Sequence, residues 1–132
     1  MPIATEILSR LRQRVAHERN PTFLVTLLHP GVSRWVIPYI VLGEYFFGIQ
    51  KSKHRKRYEA WMRDYLVFVK VGLINHQTAK TYADIRLELK KQGTPIPSND
   101  TWIAAVARQH GLPVLSNDTH FDRVKKLKRI GF

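Results

Sequence analysis

The sequence predicts an α/β domain with a mainly parallel sheet, and three observations carry that prediction. Short apolar segments alternate with longer stretches of helical periodicity, which is the pattern of strands laid parallel and joined by crossover helices. Pro and Gly punctuate the boundaries, as at Pro30-Gly31, Gly93 and Gly111. The 132 residues, 44% hydrophobic and 11% aromatic, supply one core and fall within the usual size of one domain. No repeat, low-complexity tract or shift in composition marks a linker, so residues 1–132 are expected to form a single domain.

Residues 5–17 carry Ile7, Leu8, Leu11 and Val15 at helical spacing, with Thr5 placed to cap the helix and Asn20-Pro21 to end the segment. Residues 22–29 form a short buried element. A strand is expected over residues 34–37, and Pro38 fits the entry to a helix from Tyr39 to about Gln50. The run Lys51-Ser52-Lys53-His54-Arg55-Lys56-Arg57 opens a helix through Asp64, with Tyr58, Trp61, Met62 and Tyr65 on one stripe. Residues 67–71 alternate loosely, as a strand does. Ala79, Tyr82, Ile85 and Leu89 mark the inner face of a helix over residues 76–92, ended by Gly93. A further helix covers residues 99–110, with Trp102, Ile103, Val106 and Ala107 inward. Residues 113–116 form a strand, residues 118–124 a turn and short helix, and residues 128–130 a last strand. Trp35, Trp61 and Trp102 read as core residues.

Charge narrows the partners. Lys and Arg number 22 against 10 acidic residues, for a net charge of +12 and a pI near 10.4. Such a surface attracts polyanions because neutralised phosphates release condensed counterions, so RNA or another nucleic acid leads and an acidic protein follows. Lys51, Lys53, Arg55, Lys56 and Arg57 are the strongest candidates for phosphate contact, with Arg123, Lys125, Lys126, Lys128 and Arg129 extending the basic surface. No membrane association is expected: the charge-free stretch from Trp35 to Gly43 falls well short of the ~20 residues a span requires. There is no cysteine and no basic start followed by an apolar run, which together point to a cytoplasmic protein without a signal peptide.

In parallel sheets, sites form at the carboxyl ends of strands. Glu44, Asp100 and Asp118 fall on such strand ends or helix starts. Singly, each has a plain structural reading as a paired helix charge, a helix cap and a turn residue. Their joint placement points to a cation. Asp64, Asp84, Asp122, Glu18, Glu59 and Glu88 are interleaved with basic residues and read as surface charges. The six histidines show no ligand spacing, so a zinc site is not expected, and no Ser-His-Asp order or phosphate-binding glycine loop is present.

Three segments carry a family resemblance. Residues 40–49 (IVLGEYFFGI), 99–105 (NDTWIAA) and 115–121 (LSNDTHF) resemble, in order and spacing, the segments that bear the second, third and last acids of VapC-type PIN domains. Tyr82-Ala83-Asp84-Ile85-Arg86 and Gly93 follow the same pattern, and the likeness runs from Trp35 to the C-terminus. It implies a three-layer α/β/α PIN-like domain and a Mg²⁺- or Mn²⁺-dependent endoribonuclease, the toxin half of a toxin–antitoxin pair. Glu44, Asp100 and Asp118 would be the metal ligands, with Thr5, Asn99, Ser116 and Asn117 orienting them. The implied partners are RNA, an acidic antitoxin and a second copy in a homodimer. The N-terminus departs from the pattern. Ala4-Thr5-Glu6-Ile7-Leu8-Ser9 aligns with the segment that usually begins Asp-Thr-Asn, which puts Ala4 in the place of the first acid. Natural degeneration, a misassigned start or deliberate neutralisation each produce this. The alternative function is a non-catalytic protein that binds RNA or antitoxin.

Overall fold

The computed structural model describes residues 36–67, 70–72 and 74–131. The helix expected over residues 5–17, the element at residues 22–29, Trp35 and any strand ahead of Ala4 lie outside these. The strand Val36–Pro38 (β1) runs without a loop into the helix Tyr39–Gly48 (α1). Pro38 joins them: its φ of −62° and ψ of 144° are extended, and its locked φ also suits a helix entry. The basic run does not open the next helix at Lys51, as its sequence suggests. Residues 51–54 form a turn in which Ser52 Oγ accepts the His54 N–H at 3.1 Å, and the helix Arg55–Tyr65 (α2) starts after it.

Lys70–Gly72 (β2) overlaps the strand expected at residues 67–71, of which Val67 lies in a turn and residues 68 and 69 lie outside the described ones. It pairs parallel to β1, with Val36 opposite Lys70 and Pro38 opposite Gly72. The helix His76–Gln92 (α3) is started by a capping box: Asn75 Oδ1 accepts from the Thr78 N–H, and Thr78 Oγ1 accepts from the Asn75 N–H, both at 3.1 Å. Gly93 ends it at φ +72°, a conformation that favours glycine. The inner stripe of α3 is Thr78, Thr81, Ile85 and Leu89, so Ala79 points outward and Tyr82 is only half-buried. Thr78 can turn inward because its hydroxyl is already bonded to Gln109 and Asn75.

Ser98–His110 (α4) forms the centre of the core. Ile103, Ala104, Ala105, Val106 and Ala107 are all buried, so this stretch has no solvent face. Its alanines allow close approach, and α3 packs along it. Trp102 stays half-buried and stacks on Tyr82 at 4.0 Å between centroids, rather than entering the core. Ile37, Val41, Met62, Tyr65, Ile85, Leu112, Val114 and Phe121 fill the space around α4. Beyond it, Val114–Leu115 (β3) pairs parallel to Arg129–Ile130 (β4), and the 3₁₀ turn Thr119–Arg123 lies between them in sequence. The described strands thus form two parallel pairs, as the alternating pattern predicts. Among the described residues, no helix is long and apolar enough to cross a membrane.

The β1–β2 contact depends on the absence of a side chain at Gly72, where an added Cβ would lie 2.9 Å from Val36 Cγ1. Gly72→Ala is expected to destabilise the protein by about 1–3 kcal/mol through overpacking. Val36→Ala in the same chain should recover part of that loss, as read by denaturant unfolding of both variants.

Candidate metal centre

The three sequence-predicted acids approach one end of the molecule on separate elements. Glu44 sits midway along α1, Asp100 in the first turn of α4, and Asp118 just past the end of β3. Asp100 is 8% exposed, drawn inward because the residues that follow it in α4 belong to the core. Asp118 is set by its surroundings twice. Its N–H donates to the Oγ of buried Ser116 at 3.0 Å, and its Oδ1 accepts the His120 N–H at 2.9 Å to start the 3₁₀ turn. Phe121, fully buried, anchors that turn.

Asp100 and Asp118 converge on His120. The ring Nδ1 lies 3.1 Å from Asp100 Oδ2 and 3.1 Å from Asp118 Oδ1. One ligand atom from each of the three residues falls within 4.8 Å of the others, a spread that a single cation's ligand shell covers. Glu44 is not part of this cluster. Its Oε1 accepts from Asn99 Nδ2 at 2.8 Å, so α1 is tied to the first turn of α4 by the residue preceding Asp100. Asn99 thus bonds the Glu44 carboxylate, and Ser116 bonds the backbone of Asp118. Asn117 is exposed in the turn before Asp118, and Thr5 and Ala4 lie outside the described residues. His120 is the member that sequence spacing did not single out. Its position two residues after Asp118 was the available signal, because an Asp in a turn bonds the backbone two residues on.

Burial pushes the Asp100 carboxyl above its ordinary range; the His120 hydrogen bond opposes this and the charge of Asp118 adds to it. Two carboxylates held this close without a cation repel each other, and one of them is largely removed from water. A hard divalent ion suits such oxygen donors, so the residues present fit Mg²⁺ or Mn²⁺.

The basic run is exposed over Lys51, Lys53, Arg55, Lys56 and Arg57, between α1 and α2. Arg55 pairs with Glu59 at 2.7 Å. No acidic residue stands in the first turn of α2, where the helix dipole would favour one. Two cations expected on the basic surface are instead engaged. Arg129 holds Asp122 in a two-point pair and also donates to the Ser116 carbonyl, while Arg123 donates to the Pro95 carbonyl.

The PIN domain family matches residues 5–127. The chain belongs to this family. Among its PIN relatives, "Ribonuclease VapC2" of Haemophilus influenzae is 30% identical over 112 residues, covering 84% of this chain and 85% of the relative. "tRNA(fMet)-specific endonuclease VapC" of Salmonella typhimurium is 32% identical over 112 residues, with the same coverage. Solved structures agree on the fold. VapBC-1 from nontypeable Haemophilus influenzae superposes with a TM-score of 0.70 at 25% identity, over 92% of this chain and 83% of that one. DNA-bound VapBC from Salmonella typhimurium gives 0.68 at 30% identity, over 73% and 74%. The PIN fold, with its helices and parallel strands, is thus the fold of this chain.

The raised proton affinity of Asp100 has a stability consequence. The folded protein holds this proton more tightly than the unfolded chain, so ionising Asp100 removes stability as pH rises through the carboxylate range toward neutrality. Metal-free Asp100→Asn is therefore expected to melt higher than the metal-free parent at about pH 7 and to lose that advantage near pH 3. Thermal melts in chelator at both pH values check this, and a variant less stable at neutral pH would contradict it.

Proposed function

We propose that this chain is a metal-dependent endoribonuclease of the VapC toxin type, acting in the cytoplasm as a single domain over residues 1–132. The observation that carries the reading is the convergence of Asp100 and Asp118, from two separate family motifs, on one point at the end of the core helix. Glu44, Asp100 and Asp118 are the catalytic and metal-holding acids in this reading, Asp100 and Asp118 directly and Glu44 through water. Mg²⁺ or Mn²⁺ bound there would supply the Lewis acidity and the activated water that phosphodiester hydrolysis needs. Around it, Asn99 orients the Glu44 carboxylate and Ser116 fixes the backbone of Asp118. Asn117 and Thr5 complete the supporting set.

Lys51, Lys53, Arg55, Lys56 and Arg57 take the RNA backbone. Their location supports this: five cations crowd the start of α2, the helix end at which the dipole disfavours positive charge. A placement that costs local stability is explained when phosphates neutralise it. The same basic surface suits an acidic antitoxin, and the VapBC neighbours are complexes by name. A homodimer completes the assembly we propose.

Ala4 favours a second reading, in which the protein keeps the fold and the basic surface but only binds RNA or antitoxin. The first reading predicts weak, metal-dependent RNA cleavage that Asp100→Asn abolishes, with calorimetric metal binding lost in parallel. It also predicts that Ala4→Asp raises both metal affinity and cleavage, while the uncharged control Ala4→Asn restores far less. No gain from the added carboxylate, in a folded variant, would put the binding reading first.

RNA affinity is expected to fall with salt by a logarithmic slope of about −0.7 for each phosphate contacted on a single strand. Replacing Lys53, Arg55, Lys56 and Arg57 by Ala should flatten that slope; an unaltered slope would return the run to an ordinary solvated surface.

A further inference from the structure

We propose that His120 is a third ligand of the cation held by Asp100 and Asp118, through its ring Nδ1, and that this nitrogen makes the site prefer Mn²⁺ to Mg²⁺. The inference rests on the metal-site reading given above and specifies its chemistry. It begins with a count of hydrogens. An imidazole Nδ1 carries at most one, and one hydrogen cannot point well at two acceptors. Here Nδ1 stands 3.1 Å from a carboxylate oxygen of Asp100 and the same distance from one of Asp118. With the ring hydrogen on Nε2 instead, Nδ1 is an electron-pair donor, and it and the two carboxylate oxygens form a set of three ligand atoms within 4.8 Å of one another.

The ring is also held there before any ligand arrives. The His120 backbone N–H donates to Asp118 Oδ1 at 2.9 Å, the Ser116 hydroxyl accepts the Asp118 backbone N–H, and the neighbouring Phe121 is fully buried. Such preorganisation keeps the nitrogen within reach of both oxygens. The His120 side chain is 36% exposed, so an ion enters from solvent without unfolding the turn.

The third acid is positioned differently. Glu44 Oε1 is engaged by Asn99, and Glu44 lies outside the compact group of donor atoms. The compact set is therefore two oxygens and one imidazole nitrogen. Mg²⁺ takes oxygen donors and gains little from imidazole, whereas Mn²⁺ and the later first-row ions accept nitrogen and bind such mixed sites more tightly.

Calorimetry with Mn²⁺ and with Mg²⁺, on the full chain and on His120→Gln, tests the assignment. Gln keeps a polar group beside the acids but lacks the ring nitrogen. The parent is expected to bind Mn²⁺ more tightly than Mg²⁺. His120→Gln should weaken Mn²⁺ by about tenfold or more, the scale on which even supporting groups of metal sites act, and change Mg²⁺ less than about twofold. Pulsed electron paramagnetic resonance of the Mn²⁺-loaded parent, labelled with ¹⁵N-histidine, should show a nitrogen coupling that the variant lacks. Equal loss for both ions, or no coupling in the parent, overturns the assignment. Tighter metal binding by His120→Gln also overturns it, because the ring would then be a competitor for the acids. If Asp100→Asn binds both ions as well as the parent does, the metal site itself fails, and His120 with it.

Discussion

A carboxylate sits in the first turn of the helix around which the core is built, and this placement governs the rest of the molecule. From Ile103 to Ala107, α4 is enclosed by apolar side chains, so its position is fixed to within the tolerance of close packing. Asp100 inherits that rigidity. Being attached to the core helix, it is drawn out of water, and its charge then needs a neighbour of opposite sign or a proton. Its neighbours pull in opposite directions: His120 faces it and eases the charge, whereas Asp118 approaches through the turn after β3 and adds to the repulsion.

The distribution of charge follows a second logic. The protein is strongly basic, yet two of its few acids are placed side by side in a half-buried site. At the other extreme, five cations gather at the start of α2 without an acidic residue in its first turn. Both arrangements work against the folded state when considered alone. Each becomes favourable with a ligand of opposite charge, a cation in the first case and a polyanion in the second. Elsewhere the chain pairs its charges in the ordinary way, as in the two-point contacts of Arg108 with Glu88 and of Arg129 with Asp122.

The parallel strand–helix alternation was legible because its punctuation is unambiguous. Pro38 and Gly93 act where they stand in the sequence, and Glu44, Asp100 and Asp118 lie in short motifs tied to such boundaries. The approach of Asp100 to Asp118 could be anticipated from strand-end geometry, whereas the place of His120 could not. Ligand-spacing rules look along one element, and His120 meets Asp100 across space through a turn whose path depends on Phe121 being buried. The inner face of α3 begins one residue away from where periodicity puts it, for a related reason. Hydrophobic periodicity favours Ala79, but Thr78 has its hydroxyl satisfied locally and can be buried at little cost. The start of α2 was hidden by the Ser52 turn, because a charge run carries no signal of where helical geometry begins.

The two parallel strand pairs differ in how far they reach along the chain, and this sets an order of assembly. The packing of α3 on α4 joins neighbours separated by a short loop, the kind of contact that forms early. Pairing of β1 with β2 must bring Val36 beside Lys70 across the whole of α1 and α2, with a larger loss of chain entropy. The arm that carries Glu44 is thus the late-docking part, while the helix bearing Asp100 is already in place. A partly unfolded chain that lacks this closure therefore keeps Asp100 and Asp118 near each other on the later elements while Glu44 stands apart from them.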